Sequence, residues 1–88
     1  MIYNVNYFIK KFEAIPEDQW TTGSFRDEHG RKCALGHCLT LHEEQAALIS
    51  LLRYTTSEIN DGERDRYQQP TPKQRILAAL NDVKNETF

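Results

Sequence analysis

The sequence predicts a mostly helical α+β domain, with about three main helices and a short β-hairpin between the first and the second. Apolar residues recur every three or four positions in several stretches, which is the period of an amphipathic helix. Two Thr-x-x-Glu/Gln sequences are typical of helix starts. A turn sequence with an Asp and a Gly stands between the first two helical stretches. At 88 residues, the chain predicts one compact domain, residues 1–88.

The first helix is predicted from an apolar stripe that ends before a proline. The residues of the stripe are Val5, Phe8, Ile9, Phe12 and Ile15. Pro16 ends the helix because the residue before a proline is pushed out of the helical conformation. Pro16 then suits the first position of a short turn that carries Trp20.

The hairpin is predicted from the residues that follow Trp20. Asp27 opens a four-residue turn, and Gly30 supplies the positive φ at its end. Phe25 and Arg31 then lie on two strands of two or three residues each.

The second helical region begins at the sequence CALGHCL, residues 33–39, which predicts one or two helical turns. Thr40 and Glu43 form a capping box, in which the threonine caps the helix and the glutamate reaches back to it. We expect the helix that starts there to continue to about Tyr54.

The last helix follows a turn and a polar loop. Residues 60–62, Asn-Asp-Gly, predict the turn, because Asn and Asp bond to nearby backbone and tolerate left-handed φ. Thr71 and Gln74 form a second capping box, with Pro72 at the first helical position. The buried stripe of this helix is Ile76, Leu77, Leu80 and Val83, and we expect the helix to end near Asn85.

Composition and charge exclude several classes of protein. A net charge of −2 argues against a duplex DNA binder, which needs a basic face for phosphates. No run approaches the roughly 20 apolar residues of a membrane span, and the N-terminus does not have the pattern of a signal peptide. Two cysteines five positions apart make no disulfide framework, so we expect a cytoplasmic protein with reduced thiols. A chain this small gains from self-association, which predicts a homo-oligomer.

Residues 29–42 contain five side chains of types that bind metals: His29, Cys33, His37, Cys38 and His42. Structural zinc sites usually draw close ligand pairs from two separated places, whereas these all come from one stretch. Cys33 and Cys38 would also lie roughly 140° apart on a helix and would not converge. We therefore expect no metal site and no cofactor, and interpret the cysteines as small buried hydrophobic residues.

The same stretch favours a site for an anion. Arg31 and Lys32 precede a predicted helix start at Cys33, where backbone N–H groups and the helix dipole attract negative charge. Aromatic rings beside basic residues suit a stacked base, so a nucleotide-like ligand is one hypothesis. The residues predicted to bind it are Trp20, Phe25, Arg26, Arg31, Lys32, Cys33 and Tyr67.

The alternative is a hydrolase or transferase with Cys33 as its nucleophile. A helix start and neighbouring basic residues would activate the thiol. His29, His37 or His42 could then act as the base, and Asn60 or Asp61 could orient it. We take His37 and Asn60 as the candidates for these two roles.

The order of these motifs also resembles a group of small bacterial and phage proteins that form a domain of unknown function. The residues that carry the resemblance are Trp20, Gly23, Gly30, CALGHC, the Ile-Asn-Asp of 59–61 and PTPKQRILAAL of 70–80. The match covers about residues 7–84, and it departs at Ile59, where the group often has tryptophan. The resemblance implies a small α+β fold and a phage or mobile-element context. By analogy, it predicts an anti-defence binding protein that inhibits a host protein or sequesters a nucleotide signal.

Overall fold

The computed structural model describes residues 3–38 and 42–86. In these two ranges, the chain forms four α-helices: α1 (Val5–Glu13), α2 (His42–Leu51), α3 (Thr56–Asp61) and α4 (Pro72–Asn85). Two short 3-10 helices lie between α1 and α2, at Glu17–Gln19 and Gly36–Cys38. None of the helices in the described residues is long and apolar enough to cross a membrane.

The prediction of an α+β class with a β-hairpin is wrong. The described residues contain no β-strand, and the bridges from Lys32 to Trp20 and to Arg26 are isolated. The turn itself is present, since the Asp27 N–H donates to Arg31 O (2.8 Å) and Gly30 has a φ of 79°.

Strands do not form because the backbone of Lys32 pairs with the segment around Trp20, which comes before the residues that lead into the turn. The Lys32 N–H donates to Gln19 O (3.0 Å), and Lys32 O accepts from the Thr21 N–H (3.0 Å). Lys32 thus bridges the segment next to Trp20 on one side and Arg26 on the other, and each bridge is a single residue pair. These partners are set by the tertiary arrangement, which overrides a local hairpin pattern.

Helix α1 confirms the predicted stripe. The Asn4 side chain caps the helix by accepting a hydrogen bond from the Tyr7 N–H (2.9 Å). Phe8 and Phe12 are fully buried. The segment predicted as a turn after Pro16 is the 3-10 helix Glu17–Gln19.

The region from 33 to 62 differs most from the prediction. The predicted helical turns at CALGHCL reduce to the 3-10 helix Gly36–Cys38, and the capping box at Thr40 lies outside the described residues. Helix α2 ends at Leu51, before the predicted end at Tyr54. Helix α3 was not predicted, because its six residues are too few to show a helical period. The Asn-Asp-Gly turn is the end of this helix, where Gly62 has a φ of 77°.

Helix α4 begins as predicted, with the Thr71 side chain accepting a hydrogen bond from the Gln74 N–H (3.1 Å). It packs against α1 and α3. The residues of the core are Phe8, Phe12, Trp20, Ala34, Cys38, Leu48, Leu52, Ile59, Tyr67, Ile76, Ala79 and Leu80. Hydrogen bonds from Asn60 to Thr21 O and from the Gly23 N–H to Asp61 join α3 to the loop after Trp20, and the candidate site lies between them.

Candidate functional site

An open pocket with a volume of about 340 Å³ lies between the loop of residues 23–33 and helix α3. We call it the Phe25 pocket. Its lining residues are Gly23, Ser24, Phe25, Cys33, Ser57 and Asp61. Phe25 is 52% exposed, whereas the other Phe, Tyr and Trp rings of residues 3–38 and 42–86 lie in the core or pack against it.

The loop wall of the pocket is held by close backbone packing. Phe25 O accepts a hydrogen bond from the Cys33 N–H (3.3 Å). A Cβ atom at Gly36 would lie 2.0 Å from Phe25 O, so only glycine allows the 3-10 helix to pack against this loop. The backbone that carries Phe25 is therefore fixed, although its ring faces solvent.

Asn60 connects the helix wall to the loop wall. Its side chain is completely buried. The Nδ2 group donates to Thr21 O and to Asp61 Oδ1 (both 2.9 Å), and Oδ1 accepts from the Ala34 N–H (3.0 Å). Asp61 Oδ1 also accepts from the Gly23 N–H (3.1 Å). These four bonds hold the Asp61 carboxylate at the edge of the pocket.

Arg75, on α4, is hydrogen-bonded to the backbone carbonyl of Asn60. Its guanidinium donates to Asn60 O through Nε (3.2 Å) and Nη2 (2.8 Å), and to Gln69 O through Nη1 (2.8 Å). Burial lowers the pKa of Arg75, and the nearby negative charge of Asp61 opposes that effect. The positive group therefore stabilises the carboxyl end of α3, where the backbone carbonyls carry partial negative charge.

Cys33 lines the Phe25 pocket but is not at the start of an α-helix, so the predicted helix-start activation of its thiol is wrong. The nearest helical residues are the three of Gly36–Cys38. Cys33 is 6% exposed, and its Sγ accepts a hydrogen bond from the Gly36 N–H (3.4 Å). No described histidine is hydrogen-bonded to this sulfur.

The other two residues of the catalytic alternative serve the fold. His37 Nε2 donates to Gln19 O (3.0 Å), since a carbonyl can only accept, and its ring lies against Trp20 with centroids 4.9 Å apart. Burial lowers the pKa of His37, although the bond to Gln19 opposes this. The Asn60 side chain is fully used by the bonds described above. The structure therefore does not assemble these side chains into a nucleophile and base.

Two of the rings predicted to stack on a ligand lie in the core. Trp20 is 4% exposed, and its Nε1 donates to Ile15 O (3.4 Å). Tyr67 is 3% exposed, and its hydroxyl donates to Asp82 (2.7 Å). Burial, together with this bond, raises the pKa of Tyr67. We therefore place neither ring in a ligand site.

The predicted basic residues lie outside the pocket lining. Arg31 Nε donates to Asp27 Oδ2 (2.6 Å), so its charge is paired within the turn. Desolvation raises the pKa of Asp27, but the bonds from Arg31 and from the His29 N–H outweigh it and lower this pKa to about 2. Arg26 is exposed and Lys32 is half-buried. Of the seven residues predicted to bind an anion, only Phe25 and Cys33 line the pocket.

Sequence reasoning missed a buried polar cluster between α1 and α2. The Glu44 carboxylate, 2% exposed, accepts hydrogen bonds from Lys11 Nζ (2.5 Å) and the Tyr7 hydroxyl (3.0 Å). Burial, with Glu44 nearby, raises the pKa of Cys38 to about 12, which keeps this thiol protonated. Glu44 follows another glutamate at a helix start, so nothing in the sequence distinguishes it from a solvated residue.

A second cavity, of about 430 Å³, is lined by Tyr54, Glu63, Arg64, Asp65 and Arg66. Its charges are largely paired, since Arg64 contacts Glu58 (3.2 Å) and lies 4.2 Å from the centre of the Tyr54 ring. In the same two described ranges, no three His, Cys, Asp or Glu side chains come together as a metal site. The Phe25 pocket is therefore the candidate site.

No family model, curated protein or solved structure matches this chain. The resemblance to small bacterial and phage proteins stays a prediction. The function must therefore be argued from the pocket and the residues that line it.

Proposed function

We propose that this protein is a small binding protein and that the Phe25 pocket is its binding site. The observation that carries the proposal is the exposed Phe25 ring, held on a fixed backbone at the edge of an open pocket. Ligand pockets in proteins are mostly apolar, with a few placed polar groups, and their volumes run from about 300 to 1,000 Å³. The Phe25 pocket is at the small end of that range, which suits a single side chain or a small molecule.

The polar groups of the pocket favour some ligands over others. Ser24 and Ser57 are hydroxyl residues, and Asp61 contributes a carboxylate. A phosphate placed beside that carboxylate would be repelled. Binding of the nucleotide-like anion predicted from the sequence is therefore a hypothesis about the exposed surface at Arg26, outside the pocket, and not about the pocket itself.

The location and the biological context of the protein are further parts of the proposal. Cys33 and Cys38 are free thiols, which is consistent with a cytoplasmic protein. The phage or mobile-element context and a host defence protein as the partner rest only on the resemblance.

A protein-observed NMR titration tests the proposal. Neutral apolar, cationic and anionic fragments, with AMP among the anions, are added to the labelled protein. We expect amide shifts centred on Gly23, Phe25, Ser57 and Asp61 for at least one class of fragment. Shifts confined to other surfaces, or no shifts at millimolar fragment, would contradict a binding role for the pocket.

A variant that blocks the pocket supplies the control. Ser57→Trp places a large ring at the rim of the pocket and should abolish the fragment-induced shifts. Ser50→Trp changes an exposed serine on α2 that does not line the pocket, and should leave them unchanged.

The cysteine-dependent enzyme is the second candidate, because Cys33 does line the pocket. Catalysis requires a thiol that reagents can reach. With Cys33 6% exposed, we expect alkylation by iodoacetamide at pH 7 to be slower than that of free cysteine. Alkylation faster than free cysteine, lost in Cys33→Ser, would favour the enzyme instead.

A further inference from the structure

We propose that the Phe25 pocket receives a cationic side chain, an arginine or a lysine, from a partner protein. This inference rests on the proposed function and names the chemistry of the ligand. Three features of the pocket support it: a carboxylate, an exposed aromatic ring and an apolar floor.

The first feature is the Asp61 carboxylate, which forms no hydrogen bond or salt bridge with a charged side chain among the described residues. Both of the hydrogen bonds it accepts, from the Gly23 N–H and from Asn60 Nδ2, come from neutral groups. The Arg75 guanidinium is near enough to interact with the charge of Asp61, but its hydrogen bonds go to the carbonyls of Asn60 and Gln69 and not to this carboxylate. Both bonds to Asp61 use Oδ1, so Oδ2 can accept a charge-assisted hydrogen bond from an incoming cation.

The second feature is the Phe25 ring. A guanidinium or ammonium group is attracted to the face of an aromatic ring within about 6 Å of its centre. The chain already uses this contact elsewhere, where the Arg64 guanidinium lies 4.2 Å from the centre of the Tyr54 ring. Since Phe25 and Asp61 line one pocket of about 340 Å³, a single cation can contact both.

The third feature is the apolar surface between them. Arginine and lysine have aliphatic stems that pack on apolar groups while the charged end reaches a polar one. Cys33, buried and hydrogen-bonded to the Gly36 N–H, supplies the floor on which such a stem can lie. Ser57 adds a hydroxyl that can accept a further N–H.

A protein is the source of the cation that the site fits best. The pocket is shallow enough for half of the Phe25 side chain to remain exposed, so a free small molecule would bury little of its surface. A partner would add contacts around the rim, and the net charge of −2 favours a basic partner surface.

The experiment compares two probes that differ only in charge. The peptide acetyl-Gly-Arg-Gly-amide and its citrulline analogue, a neutral isostere, are titrated into the labelled full chain by NMR. We expect the arginine peptide to shift the amides of Phe25, Ser57 and Asp61 and to bind at least about tenfold more tightly than the citrulline peptide. Ethylguanidinium, which has the same charge without a backbone, should bind more weakly than the arginine peptide.

Two variants assign the effect to the pocket. Asp61→Asn keeps an oxygen to accept the two N–H groups but removes the charge, so the preference for arginine over citrulline should disappear. Phe25→Leu keeps an apolar contact but removes the aromatic face, and should weaken the arginine peptide several-fold. Asp65→Asn removes an exposed charge that does not line the pocket, and should change neither value.

Each part of the inference has its own contrary outcome. Equal binding of the arginine and citrulline peptides at the pocket would overturn the cationic ligand while leaving the proposed binding site intact. Equal affinity of ethylguanidinium and the arginine peptide would overturn a protein as its source. If neither these probes nor the neutral and anionic fragments shift the pocket amides, both the inference and the proposed function fail.

Discussion

Asn60 determines, as a single residue, whether the two walls of the Phe25 pocket stay together. Its side chain bonds to the backbone at Thr21 and Ala34 and to the Asp61 carboxylate, all from a fully buried position. A buried backbone group that loses its partner costs about 1 to 3 kcal/mol. The residue that the sequence presents as part of a turn therefore has a structural role across the fold.

We expect Asn60→Ala to lower the free energy of unfolding by about 3 kcal/mol or more, since it leaves several groups without partners. Urea denaturation measures this change. Asn81→Ala is the control, because Asn81 is exposed and bonds only to Leu77 O in its own helix. A loss below about 1 kcal/mol for Asn60→Ala would contradict the role of Asn60 as a connector.

Gly36 supplies a second test at the residue scale. In Gly36→Ala, the new Cβ would lie 2.0 Å from Phe25 O, so the loop or the 3-10 helix must move. We expect a loss of stability of about 2 to 3 kcal/mol and displaced amide resonances around Phe25.

Gly23→Ala separates this clash from conformational strain. Gly23 has a φ of 80° but nothing within 4 Å of its Cβ position, so only the left-handed conformation is penalised, by about 1 to 2 kcal/mol. If both variants lost the same amount of stability and neither shifted the Phe25 amide resonance, close packing would not explain why glycine stands at position 36.

At the scale of elements, the Glu44 cluster joins α2 to α1. Burial, the largest single cause, opposes the charge on both Glu44 and Lys11, but their shared hydrogen bond and the other groups of the cluster together outweigh it. The pKa of Glu44 is therefore lowered and that of Lys11 is raised. A single buried carboxylate with several donors is costly to protonate, because the donors then lose their partner.

This cluster predicts loss of stability in acid. The folded pKa of Glu44 is below its ordinary value of 4.5, so its stabilisation is present above that pH and disappears as the pH falls through the folded pKa. Asp27, with a pKa of about 2, adds a contribution of the same sign. We expect Glu44→Gln to flatten the pH dependence of the unfolding free energy between about pH 2 and 5.

The magnitude at neutral pH is the second part of that prediction. Glu44→Gln leaves Lys11 without its ionic partner and should cost about 2 kcal/mol at pH 7. Glu43→Gln, at the exposed neighbouring position, should cost less than about 1 kcal/mol and keep the acid dependence. An unchanged pH profile in Glu44→Gln would show that other groups cause the acid instability.

At the scale of the whole molecule, self-association stays a prediction. A core built from 12 buried residues is small, and association would add buried area. Ile49 on α2 is 53% exposed and is an apolar contact point of the kind an oligomer uses. Sedimentation equilibrium should therefore show a species larger than the 10.3 kDa monomer. Ile49→Ser removes the apolar contact and should shift the equilibrium towards the monomer. A monomer at 100 µM would contradict the prediction.

The amphipathic stripe of α1, the Thr71 cap with Pro72, and the Asp27 turn are local patterns, and the structure contains all three. The hairpin is wrong because the pairing beside the turn stops at the isolated bridge between Arg26 and Lys32 and does not extend into strands. The Phe25 and Cys33 side chains were predicted as site residues, but the geometry that unites them with Ser57 and Asp61 depends on α3, for which the sequence has no periodic signal.

The apolar period of the sequence was enough to locate α1 and α4, because side chains three and four positions apart share a helix face whatever the rest of the chain does. It correctly placed Phe8 and Phe12 of α1 in the core. In α4 it correctly placed Ile76 and Leu80, whereas Leu77 and Val83 are half-buried and Arg75 and Ala79 are buried instead. Long-range packing places Trp20 and Tyr67 in the core, pairs Lys32 with the segment next to Trp20, and buries Glu44. Through Asn60, it also joins α3 to the loop and so creates the Phe25 pocket. These outcomes depend on contacts between residues far apart in the chain, and a local pattern of residues carries no information about which distant partner will satisfy a buried polar group.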